Sequence, residues 1–180
     1  PRQKMINLMY VVLMAMLALN ISTEVLNGFS IVEESLNRTT SNSSKENESI
    51  YSDFLEQMKT NPEKVKAWFD KATMVKQMSD SLYNYAQSLK EQIVKEADGD
   101  DADLNNIVGK DNLEAAAHVM LAPGTGQGKK LYDAINSYRE RILKMVNDDH
   151  QRQLIAENLS TKIPKKGNAL GKNWQEYMFE

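Results

Sequence analysis

The apolar positions of this chain follow one pattern at its start and another through the rest. From Met5 to Leu19 only Asn7 and Tyr10 carry polar groups, and the apolar character extends to Leu26. As a helix, such a stretch is roughly 33 Å long, enough for the ~30 Å hydrocarbon layer of a bilayer. We therefore predict one transmembrane helix over residues 1–27, against the alternative of a helix buried in a soluble protein.

The flanks of this segment predict its orientation. A cleaved signal peptide has a similar basic start and apolar run, but Ala15 and Ala18 do not have the spacing of an A-x-A cleavage site. The basic residues Arg2 and Lys4 place the amino terminus in the cytoplasm. Residues after about Asn27 then lie on the other side, which in a bacterium is the periplasm.

Polar residues within the apolar segment fall on one side of the predicted helix. At 100° per residue a sector of about 100° holds Arg2, Tyr10, Asn20, Glu24 and Asn27, and excludes Lys4. Ionisable groups at membrane depth are costly and usually face protein or water. The stripe makes Arg2, Tyr10, Asn20 and Glu24 candidates for an interface inside a helix bundle. Alternatively, Arg2 and Glu24 only reach the two membrane interfaces.

The rest of the chain alternates apolar and polar positions with helical spacing. Residues 62–98 predict a helix with a coiled-coil-like seam, interrupted once at Ser79. Asn61 is the predicted cap, Pro62 the first helical residue and Glu63 an acid of the first turn. The seam consists of Val65, Trp68, Ala72, Val75, Leu82, Ala86, Leu89 and Ile93.

Further helices are predicted beyond residue 98. The same spacing recurs over 129–147 and, after the polar stretch NDDHQRQ, over 154–159 until Pro164 and Gly167; a short helix spans about 113–120. Asn173 followed by Glu176 predicts one more helix start. Residues 37–49 form either a loop or the exposed part of a long helix, and we favour the helix. The predicted class is all-α: a span, then an elongated periplasmic antiparallel bundle of four helices over 28–180.

Charge and candidate chemistry exclude several classes of function. The net charge of −3 does not fit a nucleic-acid-binding protein, and the lack of cysteine excludes disulfides and thiolate sites. The segment APGTGQGKK is not a phosphate loop, because Pro123 and Lys130 stand where Gly and Ser or Thr are required. DGDDADLNN lacks the register of a calcium loop. We expect exposed helix positions for His118 and His150, and we expect neither an enzyme nor a cofactor or metal site.

The first 36 residues, PRQKMINLMYVVLMAMLALNISTEVLNGFSIVEESL, resemble the amino terminus of the GldM/PorM family of Bacteroidetes, closest to its Porphyromonas-type PorM subgroup; NWQEYMFE is also similar. The resemblance implies an inner-membrane subunit of the type IX secretion system and gliding motor. Such proteins have one membrane helix and a long dimeric periplasmic rod, whose first domain is helical. A ring of GldL/PorL helices surrounds the membrane helices, and the proton-driven motor acts through the rod on outer-membrane machinery such as GldK/GldN or PorK/PorN.

The resemblance also implies roles for single residues. Arg2 matches the family's arginine at the cytoplasmic end of the span and would pair with a membrane carboxylate of the ring partner. Glu24 would lie near the periplasmic end. The family's β-rich domains are absent from this sequence, so we interpret the chain as an amino-terminal fragment. The alternative function is a membrane-anchored periplasmic sensor or adaptor with a ligand-binding helical bundle.

Overall fold

In the described residues, all regular structure is helical, which confirms the all-α class. The computed structural model describes residues 2–19, 23–164, 168 and 170–180. A 3-10 turn, Gly99–Asp101, follows the third of seven α-helices. The helices are α1 (Arg2–Leu19), α2 (Thr23–Thr60), α3 (Pro62–Asp98), α4 (Ala115–Leu121), α5 (Gly128–Met145), α6 (Asp149–Asn158) and α7 (Trp174–Phe179).

The chain divides into two compact units, residues 1–49 and 50–180. The first unit holds α1 and residues 23–49 of α2. Residues 37–49, predicted as either a loop or a helix, are helical throughout. This stretch of α2 is exposed, and one of its hydroxyls, that of Thr39, bonds the carbonyl of Ser35 in the preceding turn. Such a bond satisfies a hydroxyl without a tertiary partner.

α3 begins where the sequence predicted, but not by the predicted cap. Pro62 stands in its first turn with Glu63, whereas the Asn61 side chain makes no capping hydrogen bond. The Asn61 amide instead bonds the carbonyl of Gln57, so the last turn of α2 continues directly into the bend. At the other end Gly99 has a φ of 74°, and its amide bonds the carbonyl of Lys95. Glycine adopts this left-handed conformation without the strain that a Cβ adds.

The core of the second unit lies where α3, α4 and α5 meet. Five buried apolar side chains form it: Leu89, Val94, Ala115, Met120 and Ile142. The Ser79 and Tyr138 hydroxyls lie 2.7 Å apart, so the one interruption of the predicted seam is a hydrogen bond between α3 and α5. A bond of this kind contributes about 1 kcal/mol to stability.

The predicted seam is wrong at one position, Trp68, whereas Val65, Ala72 and Val75 are half-buried. Trp68 is 61% exposed, with the ammonium of Lys71 5.0 Å from its ring centroid. Phe69 makes the contact with α2 instead, stacking on Tyr51 at a centroid distance of 5.7 Å. Tyr51 also shares a hydrogen bond with Thr73 at 3.1 Å. Contacts with the end of α2 therefore determine which face of α3 is covered here, and the coiled-coil spacing of the sequence does not predict it.

The last helices differ from the prediction in their bounds. α6 begins inside NDDHQRQ, because the Asp148 carboxylate caps it by accepting from the amide of Gln151 at 2.8 Å. It ends at Asn158, six residues before the predicted stop at Pro164. The Asn173 and Glu176 capping box at α7 is confirmed in both directions. The described residues contain six helices after α1, so the prediction of a four-helix bundle omits two of them.

Candidate functional site

Of the four predicted interface residues, the structure describes the side chains of two, Arg2 and Tyr10. Arg2 and Tyr10 are both exposed residues of α1, eight positions and therefore roughly 80° apart around its axis. Asn20 lies outside the described residues. Glu24 falls in the first turn of α2, but its side chain is outside what the structure describes. Only Arg2 and Tyr10 are thus placed together on one side of a helix, and the longer stripe stays a prediction.

α1 exposes large apolar side chains in every direction. Ten of them between Met5 and Met16, Tyr10 included, are 47% to 70% exposed. Apolar exposure on this scale marks a surface that contacts protein or lipid. Within the described residues, no helix has both the length and the apolar content needed to cross a membrane. The predicted span includes residues 20–22, which lie outside the described residues, and it stays a prediction.

The start of α2 carries a narrower apolar stripe. Val25, Phe29, Val32 and Leu36 follow each other at intervals of four, three and four residues, and are 49%, 67%, 55% and 62% exposed. This alternation places the four side chains within about 60° of one another, as in the seam of a coiled coil. The α2 stripe, as we call these four residues, is therefore a second surface suited to another helix.

A groove of about 750 Å³ lies in the second unit, between α5, the segment after α6, and the start of α7. We call it the α5–α7 groove. Its lining includes Tyr132 and Trp174, whose ring centroids are 5.6 Å apart. The buried Thr161 holds the segment after α6 to α5 by donating to the side-chain carbonyl of Asn136 at 3.0 Å.

The α5–α7 groove is cationic. Lys129, Arg139 and Lys162 line it, and no lining residue is acidic. Lys129 pairs along α5 with Asp133 at 2.7 Å. Arg139 donates to the backbone carbonyl of Leu159 at 3.1 Å. Among the described residues, neither Arg139 nor Lys162 has a carboxylate partner.

The glycine-rich segment before α5 is an ordered turn. Gly126 donates to the carbonyl of Ala122 at 2.7 Å, and Gly124 has a φ of 81°. Gly128 is buried at the start of α5, where an added Cβ would lie 2.7 Å from the Cβ of Gln175. Gly126 and Gly128 therefore allow close packing against α4 and, for Gly128, α7, while Gly124 supplies the positive φ of the turn. These roles explain the glycines without a bound phosphate.

The acidic segment after α3 is also organised by the chain itself. The Asp98 carboxylate accepts from the amides of Val108 and Gly109 at 2.9 and 2.6 Å. Asp103 accepts from the amide of Asn105 at 2.8 Å. Within the described parts of the chain, no group of three His, Asp or Glu side chains is arranged to hold a metal ion.

The two histidines are exposed, as expected. His118 nevertheless has a partner, since its Nδ1 lies 2.7 Å from Oε1 of Glu96 and joins α4 to α3. This hydrogen bond, with the negative charge of the same carboxylate, raises the pKa of His118. The contact is a local pH-dependent link and carries no catalytic arrangement.

Comparison with known families decides the identity. The sequence model of the GldM amino-terminal domain matches residues 24–180. The chain belongs to the GldM family. No curated protein matches it. The match overlaps residues 24–36 of the segment that carried the resemblance, and it extends the family assignment to the rest of the chain.

GldM membership establishes the general role. The chain is a structural component of type IX secretion and gliding, a system in which family members are membrane-anchored and work with other components. The family is not a known enzyme family. The described candidate interfaces of this GldM domain are α1, the α2 stripe and the α5–α7 groove.

Sequence reasoning missed the α5–α7 groove in this GldM domain. Its cations, Lys129, Arg139 and Lys162, come from two segments about 20 residues apart, and Trp174 comes from a third. Part of the groove was visible in the sequence, since the cations Lys129 and Arg139 lie on either side of the aromatic Tyr132 along one helix. Neither the segment after α6 nor its closure onto α5 through Thr161 has a sequence pattern that predicts it.

Proposed function

We propose that this chain is the membrane-anchored subunit of a motor that uses the proton gradient to drive type IX secretion and gliding. The observation that carries the proposal is α1, a helix with exposed apolar side chains on all sides, in a chain of the GldM family. On this proposal residues 1–27 form a single span of the bacterial inner membrane, with the amino terminus in the cytoplasm. Residues 28–180 form the first periplasmic helical domain.

The proposed partner in the membrane is a ring of GldL/PorL-like helices around the α1 helices of a dimer. Arg2 pairs with a carboxylate of the ring, and Tyr10, Asn20 and Glu24 contact the ring along the same side. A guanidinium does not titrate, so the proton is carried by the partner's carboxylate. Its protonation removes one charge and leaves Arg2 unpaired, which is costly away from water and drives a change of partner.

The α2 stripe supports the proposed homodimer. The exposed row of Val25, Phe29, Val32 and Leu36 gains stability when an identical row packs against it, because both rows leave water. The flanking positions of α2, among them Glu33, Glu34 and Ser35, are exposed polar side chains that suit the outer faces of such a pair.

The long helices suit a mechanical role. α2 and α3 have 38 and 37 residues, and a helix of that length is roughly 55 Å long. An α-helix of this kind transmits displacement along its axis with little internal change. We propose that the periplasmic part conveys torque or conformational change towards outer-membrane components such as GldK/GldN or PorK/PorN.

The test is isolation of the tagged chain from membranes, followed by native mass spectrometry of what accompanies it. Two copies of the chain with several copies of a small multi-span protein are the expected result. A dimer without any membrane partner, stable in mild detergent, would contradict the motor and favour the sensor or adaptor.

Arg2→Ala and Lys4→Ala form a matched pair for the motor mechanism. Both remove one cation from the first turn of α1, but only Arg2 lies on the predicted polar stripe. We expect Arg2→Ala to abolish secretion and gliding while the partner still co-purifies, and Lys4→Ala to retain both activities. Equal effects of the two variants would contradict a specific pairing of Arg2.

A further inference from the structure

The α5–α7 groove has a chemical character that its surroundings do not explain. The chain as a whole carries a net charge of −3, yet the lining of this groove holds three cations and no acid. The nearest carboxylate of α7, that of Glu176, accepts from the backbone amide of Asn173 at 2.9 Å and belongs to the helix cap. The groove is therefore a cationic site on an acidic protein, and two of its cations, Arg139 and Lys162, have no carboxylate partner among the described residues.

Arg139 is the central group of this site. It is half-buried, and of the five donors of its guanidinium one has a partner in the described structure, the carbonyl of Leu159. A partly desolvated cation without a counter-ion costs free energy that a bound carboxylate restores through short, charge-assisted hydrogen bonds. Lys162, exposed on the facing segment, supplies a second cation on the opposite wall.

The size and the aromatic wall decide what kind of anion fits. The groove, at about 750 Å³, is far larger than a small inorganic ion, which would contact only part of its lining. The Tyr132 and Trp174 rings form a half-buried platform on which an apolar or aromatic side chain can pack. Nucleic acid would need an extended basic surface, which an acidic chain does not offer.

We propose that the α5–α7 groove binds an acidic, extended segment of a partner protein. Carboxylates of the segment bond Arg139 and Lys162, and one of its apolar side chains packs on Tyr132 and Trp174. The partner is thus defined by alternating acidic and apolar residues. The proposal goes beyond the motor assignment and does not depend on insertion of α1 into a membrane.

Trp174 makes the binding measurable without a label. The chain has two tryptophans, so Trp68→Phe leaves Trp174 as the single tryptophan reporter. The full chain, kept in mild non-ionic detergent, is titrated with an end-blocked nonapeptide in which glycine and glutamate alternate around a central phenylalanine. The matched control peptide has glutamine in place of every glutamate. Inorganic phosphate is titrated separately.

We expect a saturable change of Trp174 emission with the acidic peptide and binding at least about tenfold weaker with the glutamine peptide, a loss typical of removing charge-assisted hydrogen bonds. Added salt should weaken the acidic peptide's binding. The double variant Arg139→Gln with Lys162→Gln should also lose about tenfold or more. Its control, Lys64→Gln with Lys66→Gln, makes the same charge change at exposed positions of α3 and should bind as the parent chain does.

Several results would overturn the proposal. Equal binding of both peptides, or an equal loss in the α3 control, would show that the groove does not select carboxylates. Phosphate binding as tight as the peptide would reduce it to an ion site. Self-association that blocks the peptide would make a second copy the occupant. Lys162→Gln alone changes an exposed side chain, so weaker peptide binding in this variant cannot be attributed to misfolding. Peptide binding as tight as that of the parent chain would show that Lys162 does not contact the carboxylates.

Discussion

Replacing Gly128 by alanine tests the close packing of α5 against α4 and α7 in the second unit. The new Cβ would lie 2.7 Å from the Cβ of Gln175 and 2.9 Å from the backbone oxygen of Met120. Carbon atoms in contact normally stay about 3.5–4.0 Å apart. Neither neighbour can turn away, because one is main chain and the other is the first atom of its side chain. Gly128→Ala must therefore push α5 away from α4, α7 or both.

The cost follows from the depth of the clash. Inserting a methyl group into a filled space typically costs about 1–3 kcal/mol. Alanine gives back at most about 1 kcal/mol of helix propensity, and less at the first helical residue. We therefore expect Gly128→Ala to lower the free energy of unfolding by about 1–2 kcal/mol. For a unit of this size the melting temperature falls by about 3–10 °C.

Gly28→Ala is the matched control, since it adds the same methyl group to a helical glycine with no atom within 4 Å of the new Cβ. That variant should stabilise α2 by about 0.5–1 kcal/mol. Urea unfolding followed by far-UV circular dichroism and Trp174 emission measures both. If Gly128→Ala is as stable as the parent chain, the close approach of α4, α5 and α7 is wrong. Because Gln175 also lines the α5–α7 groove, the variant should weaken acidic-peptide binding as well.

Four further predictions concern single residues. Tyr138→Phe, which loses the bond to Ser79, should lower the free energy of unfolding by about 1 kcal/mol, whereas Tyr85→Phe should not, since the buried Tyr85 hydroxyl has no partner in the described structure. Burial raises the pKa of Tyr85, so the folded chain keeps its full stability below pH 10 and loses part of it as the pH rises further, because the unfolded chain ionises first. In Tyr85→Phe the urea midpoint of unfolding should therefore fall less at alkaline pH. The Glu96 contact raises the pKa of His118 above 6.5, so the link between α3 and α4 is present below that pH and is lost as pH rises through the folded-state pKa. Glu96→Gln should shift the NMR titration of His118 downwards and Glu91→Gln should leave it in place. Leu36→Lys should abolish dimers in sedimentation experiments, whereas Ser35→Lys, on another face of α2, should not.

The sequence predicts the elements of this fold best where local chemistry determines them. Pro62 and Glu63 mark the start of α3, and the Asn173 and Glu176 capping box marks α7, because each signal acts within one helical turn. Gly99 ends α3 for an equally local reason. Such residues bond or orient the backbone next to them, so no knowledge of the tertiary structure is needed.

Prediction is weaker where two signals compete. The polar stretch NDDHQRQ indicates a break, but Asp148 is also a strong helix cap, and the cap determines where α6 begins. Pro164 predicts a later end of that helix, yet the helix ends at Asn158, and the Leu159 carbonyl accepts a hydrogen bond from Arg139. Its end is therefore set by packing against α5, which the helical spacing of the sequence does not reveal.

Which apolar residues are exposed and which are buried depends on the tertiary structure even more than the helix ends do. Trp68 has the spacing of a core residue, but Tyr51 of α2 contacts its neighbour Phe69. The α5–α7 groove could not be predicted for the same reason, since its walls come from segments that sequence spacing does not connect. Cationic residues such as Arg139 and Lys162 are ordinary in a sequence; only their shared lining, without an acid, makes them unusual.

The distribution of apolar residues also argues that this chain works through interfaces. The side chains buried in the second unit cluster where α3, α4 and α5 meet, whereas the large apolar residues of α1 and the α2 stripe are about half exposed or more. Exposed apolar area of this extent favours association, at about 25 cal/mol per Å² removed from water. The four residues of the α2 stripe lie on one side of the helix, which suits a single partner helix, whereas α1 is apolar on all sides, which suits several neighbours at once. Two helices with such different apolar surfaces are expected to face different partners, a second copy for α2 and a surrounding set of helices for α1.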